Sequence, residues 1–138
     1  MREREIYVTD FDLDRLTSLL KGARLWSARD REYLQQLEAE LGRAHVVTSK
    51  EIPSDVVTMN SEVSVRDLDS GREMIFTLVF PSEAGLEQRK ISILAPVGTA
   101  VLGYRVGNTI EWKVPGGVRR LRIEGVLYQP EAVGDYHR

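Results

Sequence analysis

The segment Ile91–Gly103 (Ile-Ser-Ile-Leu-Ala-Pro-Val-Gly-Thr-Ala-Val-Leu-Gly) constrains the fold more than any other part of the chain. Its first four residues are typical of a strand, which must stop at Ala95 because Pro96 fixes its own φ and biases the preceding residue away from helical angles. Apolar residues then recur three and four positions apart, as on one helix face. We predict a strand over Ile91–Leu94, a sharp corner, and a short buried helix capped by Gly103. From these residues alone, a corner that only builds the core is an equally good interpretation.

Composition excludes several classes of protein. The 138 residues suit one compact domain, or a small domain with an appendage. With 19 basic and 21 acidic residues, the chain lacks the basic excess that non-specific nucleic-acid binding needs. The absence of cysteine excludes disulfides and thiolate chemistry and fits a cytoplasmic protein. The charged N-terminus has no apolar run behind it, and no apolar stretch approaches the roughly 20 residues that span a bilayer, so we expect neither a signal peptide nor a membrane segment.

Leucine spacing predicts two helices in the first part of the chain. Thr9, followed three residues later by Asp12, matches a capping box at the first helix start, and Lys21-Gly22 is a helix stop. A second capping box begins at Ser27. Each helix carries leucines at i, i+3 and i+7, the spacing of a coiled-coil seam: Leu13, Leu16 and Leu20, then Leu34, Leu37 and Leu41.

The short connector between the two helices predicts that they pair as an antiparallel hairpin, a short coiled coil. At ~15 residues the second helix would be roughly 22 Å long. An isolated pair of that size is marginal, so its base must rest on the rest of the protein or on a partner. No period is visible over Ala44–Asp55, which we interpret as a linker. We therefore place a helical domain at 1–48 and a second domain at 49–138.

Strand-like alternation replaces helical spacing after the linker. A strand around Val63 and Val65 is followed by a turn cluster, Asp67–Gly71. The further predicted strands are Glu73–Phe80, Thr109–Val114 and Val118–Tyr128. The last of these contains Gly125, a candidate bulge that shifts the alternation of its side chains. We interpret the polar Gln129–Arg138 as a tail.

No catalytic or cofactor site is apparent in the sequence. His45 and His137 lie neither in a metal-ligand spacing nor beside a nucleophile, so we interpret both as surface or structural residues. The glycines have neither the Lys-Ser/Thr of a phosphate loop nor the spacing of a dinucleotide motif. We expect a protein that is not an enzyme, with no metal and no cofactor.

The tip of the predicted hairpin carries two carboxylates and an aromatic ring. Asp30 and Glu32 could hold one Mg²⁺ through their oxygens. The interpretation we favour is that they face the positive end of the helix dipole, with Arg29 and Arg31 partly neutralising them. Trp26 has little to pack on in the connector between the helices, so it folds back onto Leu20 or Leu25 or contacts a partner, with equal support for each.

Six short segments, in this order along the chain, carry a family resemblance: Asp55–Ser61, Ile91–Gly103 (which includes Ala95–Gly98), Val106-Gly107, Pro115–Gly117, Tyr128–Ala132 and Gly134–Tyr136. Together with the helical hairpin, they resemble the GreA/GreB family of bacterial transcript-cleavage factors, and within it the branch of regulators of nucleoside diphosphate kinase. The resemblance covers essentially the whole chain.

The resemblance implies an α+β protein with a coiled-coil N-terminal hairpin and an FKBP-like C-terminal domain, an antiparallel sheet wrapped on one short helix. Family members dock the globular domain on the rim of the RNA polymerase secondary channel and insert the hairpin. The docking positions carry over as Leu94, Ala95 and Pro96. Cleavage factors typically have a polar residue and a serine before that proline, so Leu94 and Ala95 are departures from the family pattern.

The hairpin departs further from the cleavage factors, whose far longer helices deliver Mg²⁺ with a spaced Asp and Glu. Asp30 and Glu32 lack that tip context, and an arm of roughly 22 Å falls short of the polymerase centre. The resemblance therefore implies a monomeric, non-enzymatic regulator that binds RNA polymerase core, competes with or modulates Gre factors, and affects nucleoside diphosphate kinase. It implies no sequence-specific nucleic-acid contact.

Two alternatives stay open at this point. The chain could be a weak cleavage cofactor that uses the hairpin-tip carboxylates. It could also be a prolyl isomerase, since the fold type is shared, and that activity needs an aromatic-lined pocket. The candidate lining residues are Phe76, Phe80, Tyr104 and Trp112.

Overall fold

The computed structural model describes residues 6–21, 28–114 and 117–136. Helices and strands are both present but do not alternate regularly, as in an α+β protein. The elements are β1 Tyr7–Thr9, α1 Asp10–Lys21, α2 Ala28–Gly42, β2 His45–Val47, β3 Glu62–Asp67, β4 Glu73–Val79, β5 Lys90–Ser92, α3 Pro96–Val101, β6 Thr109–Val114 and β7 Gly117–Tyr128.

A five-stranded sheet with the order β5-β4-β3-β7-β6 forms the body. β3 lies at its centre and runs antiparallel to both neighbours. Val63 and Val65 are fully buried, as their alternation predicts. The phase change predicted near Gly125 is present: the ladder passes from Ile123 to Gly125 opposite consecutive residues of β3, which leaves Glu124 as the extra residue.

The sheet is mixed, so the expectation of an entirely antiparallel sheet is wrong. β5 runs parallel to β4, with Leu78 opposite Ile91. The segment between them makes two 3-10 turns, Pro81–Glu83 and Leu86–Gln88, and brings the chain back beside β4 in the same direction. A tight hairpin would have forced the antiparallel arrangement, whereas this longer crossover does not.

The interpretation of Ala44–Asp55 as a linker is wrong in part, because β2 lies within it. β2 pairs in parallel with β1, and the rings of Tyr7 and His45 stack with their centroids 5.2 Å apart. The amide of Tyr7 also donates to the carbonyl of Gly103 (3.1 Å), which ties β1 to the body. A three-residue strand is too short to show a period, so β2 could not be predicted from spacing.

One hydrophobic core joins the two helices to the body. Leu16 of α1 and Leu37 of α2 are both fully buried, and they belong to the same cluster as Val101 of α3 and Ile123 of β7. The base of the helices therefore rests on the rest of the protein, as their shortness requires. α2 has the predicted length of 15 residues. The antiparallel pairing of α1 with α2 and the domain boundary at 48/49 stay predictions.

The interpretation of Gln129–Arg138 as a polar tail is wrong for its first residues. Gln129 and Glu131 are 2% and 9% exposed, and Pro130–Val133 form a 3-10 helix. Their polar groups are buried because they bind other parts of the chain, a pairing that composition does not reveal. Among the helices described, none combines the length and the apolar content needed to cross a lipid bilayer.

Candidate functional site

The predicted corner is present, and it exposes only part of the three residues assigned to docking. Pro96 occupies the first turn of α3, and Ala95 precedes it with extended angles. Ala95 and Pro96 are half-buried. Leu94 is only 7% exposed and belongs to the core, so its side chain offers almost no surface. The predicted strand ends early, at Ser92, and Ile93 and Leu94 already lie in the turn.

Side-chain caps hold the corner in one shape. The hydroxyl of Ser92 accepts a hydrogen bond from the amide of Leu94 (3.0 Å), which starts the turn before the proline. The hydroxyl of Thr99 donates to the carbonyl of Ile93 (2.6 Å). A Cβ added to Gly98 would lie 2.3 Å from the carbonyl oxygen of Ser92, so only glycine fits there. The corner therefore presents Ala95 and Pro96 on a fixed backbone.

A cluster of polar side chains at the base of α1 forms a second candidate site. The sequence did not predict it. The hydroxyl of Thr9 caps the helix by accepting from the amide of Asp12 (3.0 Å), as predicted. The capping box is not completed, however. The Asp12 carboxylate turns to the body instead, where one oxygen accepts from the amide of Met59 (3.0 Å) and the other from Arg15. The carboxylate is used for a long-range contact.

Arg15 adds a second link between α1 and the body. Its guanidinium lies 4.2 Å from the ring centroid of Phe11 and 4.9 Å from that of Phe80, which follows β4. Burial raises the pKa of Asp12, while the hydrogen bonds from Arg15 and from the Met59 amide oppose that rise.

The segment 56–61 receives these contacts on one side and the C-terminal 3-10 helix on the other. The Thr58 hydroxyl donates to Glu131 (2.8 Å), and the side-chain amide of Gln129 donates to the carbonyls of Pro53 and Val56 (2.8 Å each). Burial raises the pKa of Glu131, with the Thr58 hydroxyl opposing the rise and the Asp12 charge adding to it. We call Asp12, Arg15, the segment 56–61 and residues 129–131 the joint.

The joint was not predicted, because Asp55–Ser61 stood out in the sequence only as a family motif. Every residue from 56 to 61 is at most 8% exposed, although Thr58, Asn60 and Ser61 are polar. Polar residues interleaved with valine and methionine, without a strand period, were the available signal. Such residues are buried only when hydrogen-bonded.

The predicted tip of the helical hairpin lies largely outside the described residues. Trp26 is outside the described residues, and only the backbone of Asp30 and Glu32 is described, within the first two turns of α2. Two positions apart on a helix correspond to about 200° around its axis, so the two residues do not share a face. In the described ranges, no cluster of three or more His, Asp or Glu residues could hold a metal ion.

The other candidate residues are dispersed. His45 is exposed and stacks on Tyr7; His137 lies outside the described residues. Of the aromatic residues proposed for an isomerase pocket, Phe76 is 2% exposed in the core, while the Tyr104 hydroxyl accepts from Arg43 (2.6 Å) at the base of α2. The side chain of Trp112 is outside the description. A groove of about 400 Å³ beside β4 contains one aromatic residue, Phe76, among its lining side chains.

Comparison with known proteins gives the family. A family model described as "Transcription elongation factor, GreA/GreB, C-term" matches residues 52–128, and one described as "Rnk N-terminus" matches residues 4–47. The chain is 41% identical over 137 residues to the regulator of nucleoside diphosphate kinase of Escherichia coli K12, covering 99% of this chain and 98% of that protein. The chain belongs to the GreA/GreB family. The Rnk-type N-terminus identifies its branch, as the motifs predicted.

Two further GreA/GreB relatives define how far the likeness extends. A solved structure described as prokaryotic transcription elongation factor GreA/GreB from Nitrosomonas europaea is 46% identical, with a TM-score of 0.71 over 91% of this chain and 100% of that one. Transcription elongation factor GreA of Clostridium beijerinckii is 42% identical over 91 residues, which are 66% of this chain and 57% of that protein.

Proposed function

We propose that this GreA/GreB-family protein is a non-enzymatic, cytoplasmic regulator of transcription that binds RNA polymerase core near the secondary channel. In this proposal it competes with GreA/GreB-type factors and acts as a monomer. The observation that carries it is the near full-length similarity to the E. coli regulator, combined with a C-terminal half of the elongation-factor type. The name of that relative supports an effect on the level of nucleoside diphosphate kinase.

The rigid corner is the docking element in this proposal. Ala95 and Pro96 provide the contact surface, and Leu94 acts from behind by packing the corner onto the core. The FKBP-like character of the body and the coiled-coil character of α1 and α2 belong to the same proposal. The apolar, small side chain of Ala95 allows close approach of a partner surface at the start of α3.

The helices α1 and α2 are the inserted arm, and their length limits what they do. A helix of 15 residues is about 22 Å long. The separation of Asp30 and Glu32 around the helix axis disfavours their holding one Mg²⁺ between them. We therefore propose that docking is retained without stimulation of cleavage.

Competition tests the proposal directly. Excess protein should bind purified core polymerase and block GreA-stimulated transcript cleavage, and alone it should not stimulate cleavage. The variant A95R places a long charged side chain on the corner and should weaken binding at least tenfold. Its matched control is A132R, the same change at an exposed alanine of the C-terminal 3-10 helix.

Either of two results would contradict the proposal. Wild-type protein that does not bind core polymerase removes it altogether. Equal binding by A95R, A132R and wild type removes the corner as the docking element. Replacing Asp30 and Glu32 by alanine should leave competition unchanged; a stimulated cleavage that these changes abolish would instead favour the cofactor alternative.

A further inference from the structure

We propose that Asp12 is a positioning residue that fixes the direction in which the helices α1 and α2 leave the body. The inference rests on the proposed function, because it explains how a short arm is held ready for insertion. It is carried by one contact: the buried Asp12 carboxylate, 1% exposed, accepts the backbone amide of Met59, 47 residues away (3.0 Å).

The acceptor of this hydrogen bond, the Asp12 carboxylate, belongs to α1. The donor, the Met59 amide, lies in a segment that is bonded to the body. Flanking amides bind the body, since Asn60 donates to the carbonyl of Leu78 of β4 (2.6 Å) and Val57 donates to that of Tyr104 (2.9 Å). The Thr58 hydroxyl and Glu131 hold the same segment from the C-terminal side. The Met59 amide is therefore a fixed point of the body, and Asp12 is the group of α1 that binds it.

The position of Asp12 in α1 gives the contact leverage. It lies in the first turn, immediately after the Thr9 cap, where the chain enters the helix. From Asp12 to the end of α1 at Lys21 the helix rises about 14 Å, so a tilt of about 10° at Asp12 moves the far end by about 2 Å. A small change at Asp12 is thus a large change at the tip.

Leucine packing at the base cannot supply this direction by itself. Leu16 and Leu37 hold the helices to the core, but apolar contact is non-directional and tolerates sliding. A hydrogen bond is directional, with a preferred donor angle above about 150° and a steep loss below about 120°, so Asp12 restricts the orientations that packing allows. Arg15 supports it by binding the second carboxylate oxygen while stacking on Phe80 of the body.

The substitution D12N tests this with little change of volume. The amide oxygen of asparagine can serve the Met59 amide or Arg15, but not both without turning an NH₂ group toward a donor. D14N is the matched control, since Asp14 is exposed on the same helix and loses the same charge. The chain contains no cysteine, so a label pair introduced by Q36C on α2 and E111C on β6, both exposed, is unique.

Spin-label distances in the free protein give the first readout. Wild type and D14N should give one narrow distance distribution, and D12N a distribution at least twice as wide or shifted. The Met59 amide should exchange with solvent at least tenfold faster in D12N. An unchanged distribution in a folded but less stable D12N overturns the proposal, because Asp12 would then only add stability.

Polymerase assays give the second readout and separate the two proposals. D12N should still bind core polymerase through the intact corner, but at least fivefold more weakly than D14N because the arm is misdirected, and its competition with GreA should fall by the same factor. If wild type does not bind polymerase, the proposed function fails while the distance measurement still decides the role of Asp12. Should D12N not fold, D12E keeps the charge but moves the carboxylate away from the Met59 amide by one methylene group, and it should shift or broaden the distribution; an unchanged distribution overturns the proposal.

Discussion

The corner and the joint are built from opposite kinds of contact. In the corner, each capping hydrogen bond joins residues no more than six apart, as from Thr99 to Ile93. In the joint, the bonds from Met59 to Asp12 and from Thr58 to Glu131 span 47 and 73 residues. The corner is thus fixed by its own sequence, whereas the joint exists only once three distant segments have met.

This difference separates shape from orientation. A local, closely packed corner provides a surface of constant shape, because the backbone at Ser92 passes so close to Gly98 that no side chain fits between them. A non-local polar joint sets how two parts of the chain sit relative to one another. The following substitutions test whether the two regions depend on these separate causes, beginning with the largest expected effect.

The first prediction concerns steric exclusion in the corner. G98A should lower the free energy of unfolding by about 3 kcal/mol or more, because the new Cβ meets backbone rather than a movable side chain. Urea denaturation with fluorescence detection measures the change. G42A is the control, since a Cβ at Gly42 meets nothing within 4 Å. A midpoint equal to that of wild type would show that the corner is not sterically determined.

The second prediction concerns the long-range bonds of the joint. T58V should cost about 2 kcal/mol, because it leaves the buried Glu131 carboxylate without its hydroxyl donor. T48V, at an exposed threonine, should be nearly neutral. In a double-mutant cycle, T58V and E131A should couple. Additive effects would contradict the view that the joint is held by this pair.

The third prediction asks how much the corner owes to hydrogen bonding. T99V removes the donor to the Ile93 carbonyl at nearly constant volume and should cost about 1 kcal/mol, less than G98A. The denaturation midpoint at constant slope measures it. A cost larger than that of G98A would mean that hydrogen bonding, rather than exclusion of a Cβ, determines the corner.

The smallest effect is expected from the charge of Glu131. Because burial raises its pKa, the folded state binds a proton more readily than the unfolded one, and this residue's contribution to stability grows as the pH falls from neutral through that raised pKa. E131Q keeps an acceptor for Thr58 and removes the buried charge, so it should raise stability at neutral pH by about 0.5 kcal/mol or less.

A titration of stability from pH 7 to pH 4 checks the sign. E131Q should show less gain on acidification than wild type. Glu124 on the exposed face of β7 behaves oppositely, because the hydrogen bond from Arg122 lowers its pKa and its contribution is lost as the pH falls through that lowered value. Equal pH profiles for wild type and E131Q would contradict the burial of a charge at the joint.

The sequence predicted those parts of the fold whose causes are local. Pro96 and Gly103 marked the ends of α3, and the alternation around Val63 and Val65 marked β3. β5 was predicted in the wrong direction relative to β4, because strand direction depends on the path of the intervening loop. The joint could not be predicted, since nothing near Asp12 in the sequence indicates that its partner is the Met59 amide.

The parallel pairing of β1 with β2 has an evolutionary consequence. The chain enters the helical segment from β1 and returns through β2, so the entry and exit strands lie side by side, about 4.8 Å apart. Equal numbers of turns can therefore be inserted into both helices without changing which residues pair between β1 and β2 or within the five-stranded sheet. The length of the helical segment can therefore change independently of the body, and a graft of longer helices between Thr9 and His45 would lengthen it without altering the sheet.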